Sequence, residues 1–286
     1  MRTKPFPAQV GGRFLAACGA AYRNNCLGIA KGAAYSSLLA IFPVLSSIAA
    51  ILVQANAEAV SRTLADLLFN ALPPGTENLL VHNFDVRAPR PITLLIGAAL
   101  FAAWAGSGVM ISLMEGFRGA YGIREGRPVV AQRAMAVFLV LLCAVPAVAA
   151  SAAILFGRQT ERTLLLWLGL LPAGEQLRGG LQLAGSVLRY ATTLGSIVVV
   201  TAALYRFGPN RPGKNWREVW PGALVATILW FAATSAFGWY VRNVATYNVL
   251  YGSIGAVITF LVWTYVLAVV ALVGCEFNAW SVRRDA

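Results

Sequence analysis

The chain has 286 residues, of which 58% are hydrophobic and 12% charged, with a mean hydropathy of +0.68 and a formal net charge of +12. A soluble domain of this size could not hide that balance from water, so composition excludes a soluble globular protein and leaves an integral membrane protein with room for about six spans. The basic residues sit in short clusters beside apolar runs, where they set orientation and meet anionic headgroups, so membrane lipids and not nucleic acid are the expected partners.

Cys18, Cys26, Cys143 and Cys275 lie far apart with no CxxC spacing, which points to neither a disulfide framework nor a zinc site. The basic start, with Arg2, Lys4, Arg13 and Arg23, has no apolar core followed by a small-residue cleavage site. No removable signal peptide is therefore expected, and the first span does its own targeting.

In chain order, residues 1–26 form a basic lead-in. Phe14, Leu15, Cys18 and Tyr22 recur at helical spacing, as in an amphipathic helix lying on headgroups. Span one, at 27–53, carries Gly28, Gly32 and Ser36, a small face that lets another helix approach closely. Pro43 is expected to break it near the middle. Lys31 lies about one turn inside, placed either to snorkel to the interface or to hold an anionic headgroup.

The connection 54–91 contains EAVSRTLADLLFNALPP, whose leucines recur at helical spacing as in an interfacial helix. Span two, at 92–114, has small residues at Ala98, Ala102 and Gly106, with Ala103 and Ser107 beside them. Arginines and two glutamates follow, and span three takes 134–156 with Pro146 inside. A mixed loop with Trp167 as an interfacial anchor leads to span four at 185–207, where Arg189 either snorkels or grips an anion. The rigid basic turn YRFGPNRPGKNWRE leads to span five at 219–241, whose first turn holds Pro221.

Span six, at 252–275, belongs to the uncharged stretch between Arg242 and Glu276. It is long enough to cross a hydrocarbon core of about 30 Å as a helix. Tyr251, Gly252, Ser253 and Gly255 enter it as a turn of small side chains, suited to close helix entry or to a gate. Glu276 and Asn278 leave it, and 280–286 form a tail. Glu115 beside Arg118, and Glu276 beside Arg283, read either as local ion pairs or as proton-coupled carboxylates.

Orientation follows from the basic residues. Arg2, Lys4, Arg13, Arg23 and Lys31, then Arg118, Arg124, Arg127 and Arg133, then Arg206, Arg211, Lys214 and Arg217, and finally Arg283 and Arg284, fall on one side of a six-span layout. Fewer fall on the other, so both termini are expected in the cytoplasm. The fold expected is an all-α, six-transmembrane-helix bundle with interfacial helices.

Three runs carry a likeness to a known family: GAAYSSLLAIFPVL at 32–45, PGALVATILW at 221–230 and YGSIGAVITFLVWTYVLAVVALVGCEFNA at 251–279. In this order and span layout the chain resembles the YihY/virulence factor BrkB family of bacterial inner-membrane proteins, over nearly its whole length. Many members have a second aromatic after the tyrosine matching Tyr35 and a Ser-Leu-Phe-Pro run, where this chain has Ser36 and Ala40-Ile41-Phe42-Pro43. The resemblance implies six membrane helices, cytoplasmic termini and a bacterial inner-membrane location. For activity it implies less, since the family has carried a ribonuclease label, a virulence label and proposals of transport or lipid export.

The residue types decide among these. Metal-assisted phosphodiester cleavage needs clustered His and carboxylate ligands, and the chain has one histidine, His82. It has no GxSxG elbow and no GxxxxGK[ST] loop either, so no enzyme, cofactor or metal is expected. A transporter or flippase-like exporter of a lipid, amphipathic or anionic small molecule demands less. Its path would be shaped by Lys31, Tyr35, Ser36, Phe42, Pro43 and Arg189, gated at 251–255 and open at Glu276 and Asn278. The alternative is a membrane scaffold of an envelope complex, and under either reading a second copy or an envelope protein is a candidate partner.

Overall fold

The computed structural model describes residues 6–54, 92–144, 146, 179–211, 215–243 and 253–285. The expected interfacial helix at 54–91, His82, Trp167, Tyr251 and Gly252 lie outside them. Among the described residues the regular elements are all helical. They are α1 (Phe6–Arg23), α2 (Cys26–Gln54), α3 (Ile92–Ala120), α4 (Val129–Ala144), α5 (Gly179–Phe207), a 3-10 turn at Trp216–Glu218, α6 (Trp220–Asn243) and α7 (Ser253–Asp285). Among the described residues four segments are long and apolar enough to cross a membrane: Cys26–Leu45, Ile96–Ala120, Trp216–Val241 and Gly255–Ser281. Val129–Ala144 and Leu194–Phe207 are shorter apolar helices.

The central post is α7. Every residue from Ala271 to Ala279 is buried, so this part of the helix is enclosed on all sides. Its neighbours are α1, α2, α3 and α6. Small residues let them approach: Ala17, Ala20 and Ala21 of α1, Ala30, Ala33 and Ala34 of α2, and Ala223 and Ala226 of α6 are all buried. Gly116 of α3 is so close to α7 that an added Cβ would run into the Leu272 side chain.

The pairing of α2 with α3 is extensive. The small face foreseen on α2 meets small residues of α3, with Gly32 opposite Ser112 and Ser36 opposite Gly108. Farther along, the Ser47 hydroxyl lies 2.8 Å from the Pro43 carbonyl and 2.7 Å from the Ala98 carbonyl of α3. Pro43 does not end the helix, which is continuous from Cys26 to Gln54. Where no water can satisfy a freed carbonyl, breaking further backbone pairs would cost several kcal/mol, and the helix runs on.

Two helix ends are set by local chemistry. Asn25 takes φ +53° between α1 and α2, a left-handed conformation that asparagine tolerates, and its carbonyl accepts from the Ile29 N–H at 3.1 Å to start α2. At the far end of α3, Gly122 has φ +66°. The Ile123 N–H reaches the Arg118 carbonyl and the Gly122 N–H the Gly119 carbonyl, both at 3.0 Å, which is the Schellman pattern. The sequence reading ended this span at 114, whereas the helix continues through Ala120. Likewise α7 runs past 275 to Asp285, and α4 begins at Val129, ahead of 134.

Candidate functional site

Two zones of different chemistry share the bundle. The first gathers the end of α7 that α1, the 3-10 turn and the start of α6 surround. Glu276 is 0% exposed there, although it is a carboxylate. Its Oε1 accepts from the Asn24 amide, and the Cys26 thiol lies 4.0 Å away. Two residues on, Asn278 uses both ends of its amide: Oδ1 accepts from the Gly222 N–H at 2.6 Å, and Nδ2 donates to the Val219 carbonyl at 3.1 Å. Oδ1 thereby satisfies a backbone N–H in the first turn of α6, which has no intrahelical partner of its own, while Nδ2 shares the Val219 carbonyl with the Ala223 N–H, 3.1 Å from it.

Glycine makes this contact possible. A Cβ on Gly222 would run into the Gly274 carbonyl oxygen, and one on Gly274 would sit 2.5 Å from the Tyr205 hydroxyl and 2.7 Å from Ala226 Cβ. Tyr205, fully buried, donates to the Ala271 carbonyl at 2.7 Å and meets the Phe117 ring edge-on at 5.4 Å.

The rim of this zone is basic and aromatic. Arg127 donates to the carbonyls of Gly208 and Phe207 at 2.9 and 2.8 Å, capping the exit of α5 with a cation where the helix dipole favours one. Burial, with Arg118 nearby, lowers the pKa of that guanidinium. Arg211 pairs with Glu218 at 3.4 Å and lies 5.5 Å from the centre of the Tyr121 ring. Burial pushes the Tyr121 phenol up from its ordinary value, so it stays a neutral hydroxyl at physiological pH.

The second zone is a cavity of about 520 Å³ between the helices. Ala33 and Ser37 come from α2, Val109, Met110 and Leu113 from α3, Cys143 from α4, Thr201 and Leu204 from α5, Trp230 from α6, and Thr264, Ala268 and Ala271 from α7. The wall is largely apolar, and the hydroxyls of Ser37, Thr201 and Thr264 are spent on their own helices. Ser37 donates to Ala33 at 2.9 Å, Thr201 to Ile197 at 2.8 Å and Thr264 to Phe260 at 2.9 Å. The Trp230 indole donates to the Leu267 carbonyl at 2.8 Å. What is left facing the space is hydrocarbon and a few acceptor lone pairs, a lining for an apolar guest.

Among the described residues, those singled out from the sequence lie in different parts of the bundle. Lys31, Tyr35 and Phe42 are exposed and lie along the outer side of α2, Tyr35 at 60% and Phe42 at 50%. Ser36 is half-buried against Gly108, and Pro43 is half-buried between them and Ser47. Gly255 is buried near the start of α7, where its carbonyl accepts from Thr259 at 2.7 Å, and Ser253 is the first residue of that helix. Arg189 lies on α5, its side chain outside the described set.

Glu276 and Asn278, expected at an open mouth, are instead buried and bonded. Glu115 is exposed and Arg118 lies against Gly126; no ion pair joins the two. Among the described residues no three His, Cys, Asp or Glu side chains come together as metal ligands would.

Asn24, Cys26, Tyr205, Gly222, Gly274 and Trp230 were missed as contributors. The signal for Gly222 was present in PGALVATILW, whose Gly222 and Ala226 form a small face of the kind recognised on α2 and α3. Nothing in the sequence marks Asn24 as the partner of a residue at 276.

Comparison with known proteins gives a match of residues 17–286 to a family model described as virulence factor BrkB. A putative ribonuclease-like protein, YfkH, of Bacillus subtilis is 29% identical over 67% of this chain and 66% of its own length. A UPF0761 membrane protein of Chromobacterium violaceum is 32% identical over 62% of this chain and 41% of its own length. Another, from Alkalilimnicola ehrlichii, is 28% identical over 98% of this chain and 59% of its own length. The chain thus spans less than two thirds of the length of each of these relatives. No solved structure is significantly similar to it.

Proposed function

The chain belongs to the virulence factor BrkB family of membrane proteins, and from that premise we propose that it is a six-span protein of the bacterial inner membrane, with cytoplasmic termini, that moves a lipid or lipid-like amphipath. The observation that carries the reading is the cavity of about 520 Å³, to which all six of α2 to α7 contribute. That volume is in the range of small-molecule sites, about 300–1,000 Å³. Its apolar wall favours an acyl chain over a small anion, because a bare anion there would lose its hydration with no donor to replace it. The anionic-solute form of the transport reading is therefore the weaker one.

Six spans follow if α4 and α5 cross the bilayer with the residues that flank them, as α2, α3, α6 and α7 are long enough to do alone. The surplus of Lys and Arg beside α1, between α3 and α4, between α5 and α6 and at the tail supports cytoplasmic termini.

Reconstitution tests this. Purified protein in liposomes should speed the exchange of headgroup-labelled phospholipid between leaflets. Ala268→Phe, which fills the cavity from α7, should slow that exchange severalfold while the protein stays monodisperse. Absence of exchange with any envelope lipid would overturn the transport reading in favour of a scaffold.

A further inference from the structure

A second concavity, which shares α3 and α4 with the first but no lining residue, opens on the outside of the bundle where α4 lies against α3. It encloses about 950 Å³ and is faced by Trp104, Ile111, Val130, Arg133 and Val137. Arg133 is the feature that needs an explanation. Its guanidinium lies 4.0 Å from the centre of the Trp104 ring, and Nη2 donates to the Trp104 carbonyl at 3.1 Å. Its Nε is buried without a hydrogen-bond partner, and no described carboxylate lies within ion-pairing distance. Arginine stays charged in proteins and offers five N–H donors in a rigid fork, so most of that fork has no acceptor among the described residues.

Trp104 and Ile111 belong to the membrane-spanning stretch Ile96–Ala120, so this groove faces lipid. Val129 and Val130, 86% and 81% exposed, extend an apolar surface beside it. A charged group on a lipid-facing wall is costly unless an anion or water meets it. A partner protein's carboxylate would bear the same cost on its own side, whereas a phospholipid carries its phosphate on a molecule already soluble in the bilayer.

We propose that the α3–α4 groove binds an anionic phospholipid, with the phosphate held by the Arg133 fork and an acyl chain laid along Ile111, Val130 and Val137. Guanidinium suits phosphate because two parallel N–H donors meet two oxygens. Trp104 stacks on the guanidinium and holds it in place. The site does not depend on the central cavity carrying a cargo.

Trp104 supplies the probe. The full chain is placed in phosphatidylcholine nanodiscs containing the same fraction of either dibrominated phosphatidylglycerol or dibrominated phosphatidylcholine, and tryptophan quenching is compared. The brominated anionic lipid should quench more, and that excess should vanish in Trp104→Phe. Arg133→Gln should weaken the apparent affinity for the anionic lipid about tenfold, as expected for losing a hydrogen bond to a charged group, and Arg133→Lys should fall between.

Equal quenching by the two lipids in the wild type, or an excess that survives Arg133→Gln, overturns the proposal. So does loss of the excess on adding inorganic phosphate, which would mark a site for a free anion. Should Arg133→Gln not fold, wild type against Trp104→Phe still decides.

Discussion

The end of the bundle around Glu276 and the space around Thr201 sit in one set of helices and are built by opposite means. At the first, glycine removes every spare atom, so that Gly222 and Gly274 touch backbone to backbone and amide and carboxylate side chains tie α1, α6 and α7 together. At the second, the hydroxyls of Ser37, Thr201 and Thr264 turn back on their own helices, and the Trp230 indole reaches from one helix to the next. In a bilayer the lipid is as apolar as the protein interior, so contact area alone does not hold helices together; close packing and interhelical hydrogen bonds do. One end is therefore fixed, and the middle has room for helices to separate around a guest.

Substitutions can break that contrast, and the largest effect belongs to the fixed end. Gly274→Val places its branches against Tyr205, Ala226 and Gly222, and because two of those neighbours are backbone or methyl groups on a facing helix they cannot move aside cheaply. Overpacking of about 3 kcal/mol or more is expected, seen as a lowered thermal midpoint in detergent or as failure to give monodisperse protein.

Next comes Glu276→Ala, which leaves the Asn24 amide and the Cys26 thiol without their acceptor. A loss of about 2 kcal/mol is expected, together with faster labelling of the buried Cys26 by a thiol reagent. Unchanged labelling would mean that the carboxylate does not hold the α1–α2 turn against α7. Asn278→Ala should cost about 1–2 kcal/mol by orphaning the Gly222 N–H, the Val219 carbonyl keeping its bond from the Ala223 N–H, measured by the same unfolding assay.

The smallest effect is expected in the cavity. Thr201→Val removes a hydroxyl bonded only to its own helix and should stay within about 0.5 kcal/mol of the wild type. A large loss there would show that the cavity wall is as tightly coupled as the other end, and the contrast would fail.

Much of the helix layout was legible. Long uncharged apolar runs can only be helices in a bilayer, because the backbone must satisfy itself, and α2, α3, α6 and α7 stand where such runs occur. The small face Gly32–Ser36 was legible too, since a helix needs little else to let a neighbour close, while the same pattern at Gly222–Ala226 was passed over. Pro43 misled, because a proline's effect on a membrane helix depends on what its neighbours supply, and here the helix continues.

Which side of each helix turns inward was not legible. In water an apolar stripe points at the core, but α7 is apolar all round and Lys31, Tyr35 and Phe42 face outward as readily as Ala33 and Ser37 face the cavity. The sequence by itself determined that this is a membrane protein built from helices, and where most of them begin. Only the tertiary structure decided that Glu276 is bonded to Asn24, that Asn278 serves α6, and that Arg133 lies over Trp104 in the groove between α3 and α4. Partners more than 200 residues apart for Glu276 leave no periodic trace along the chain, and a solvent as apolar as the core removes the pattern that would have oriented each helix.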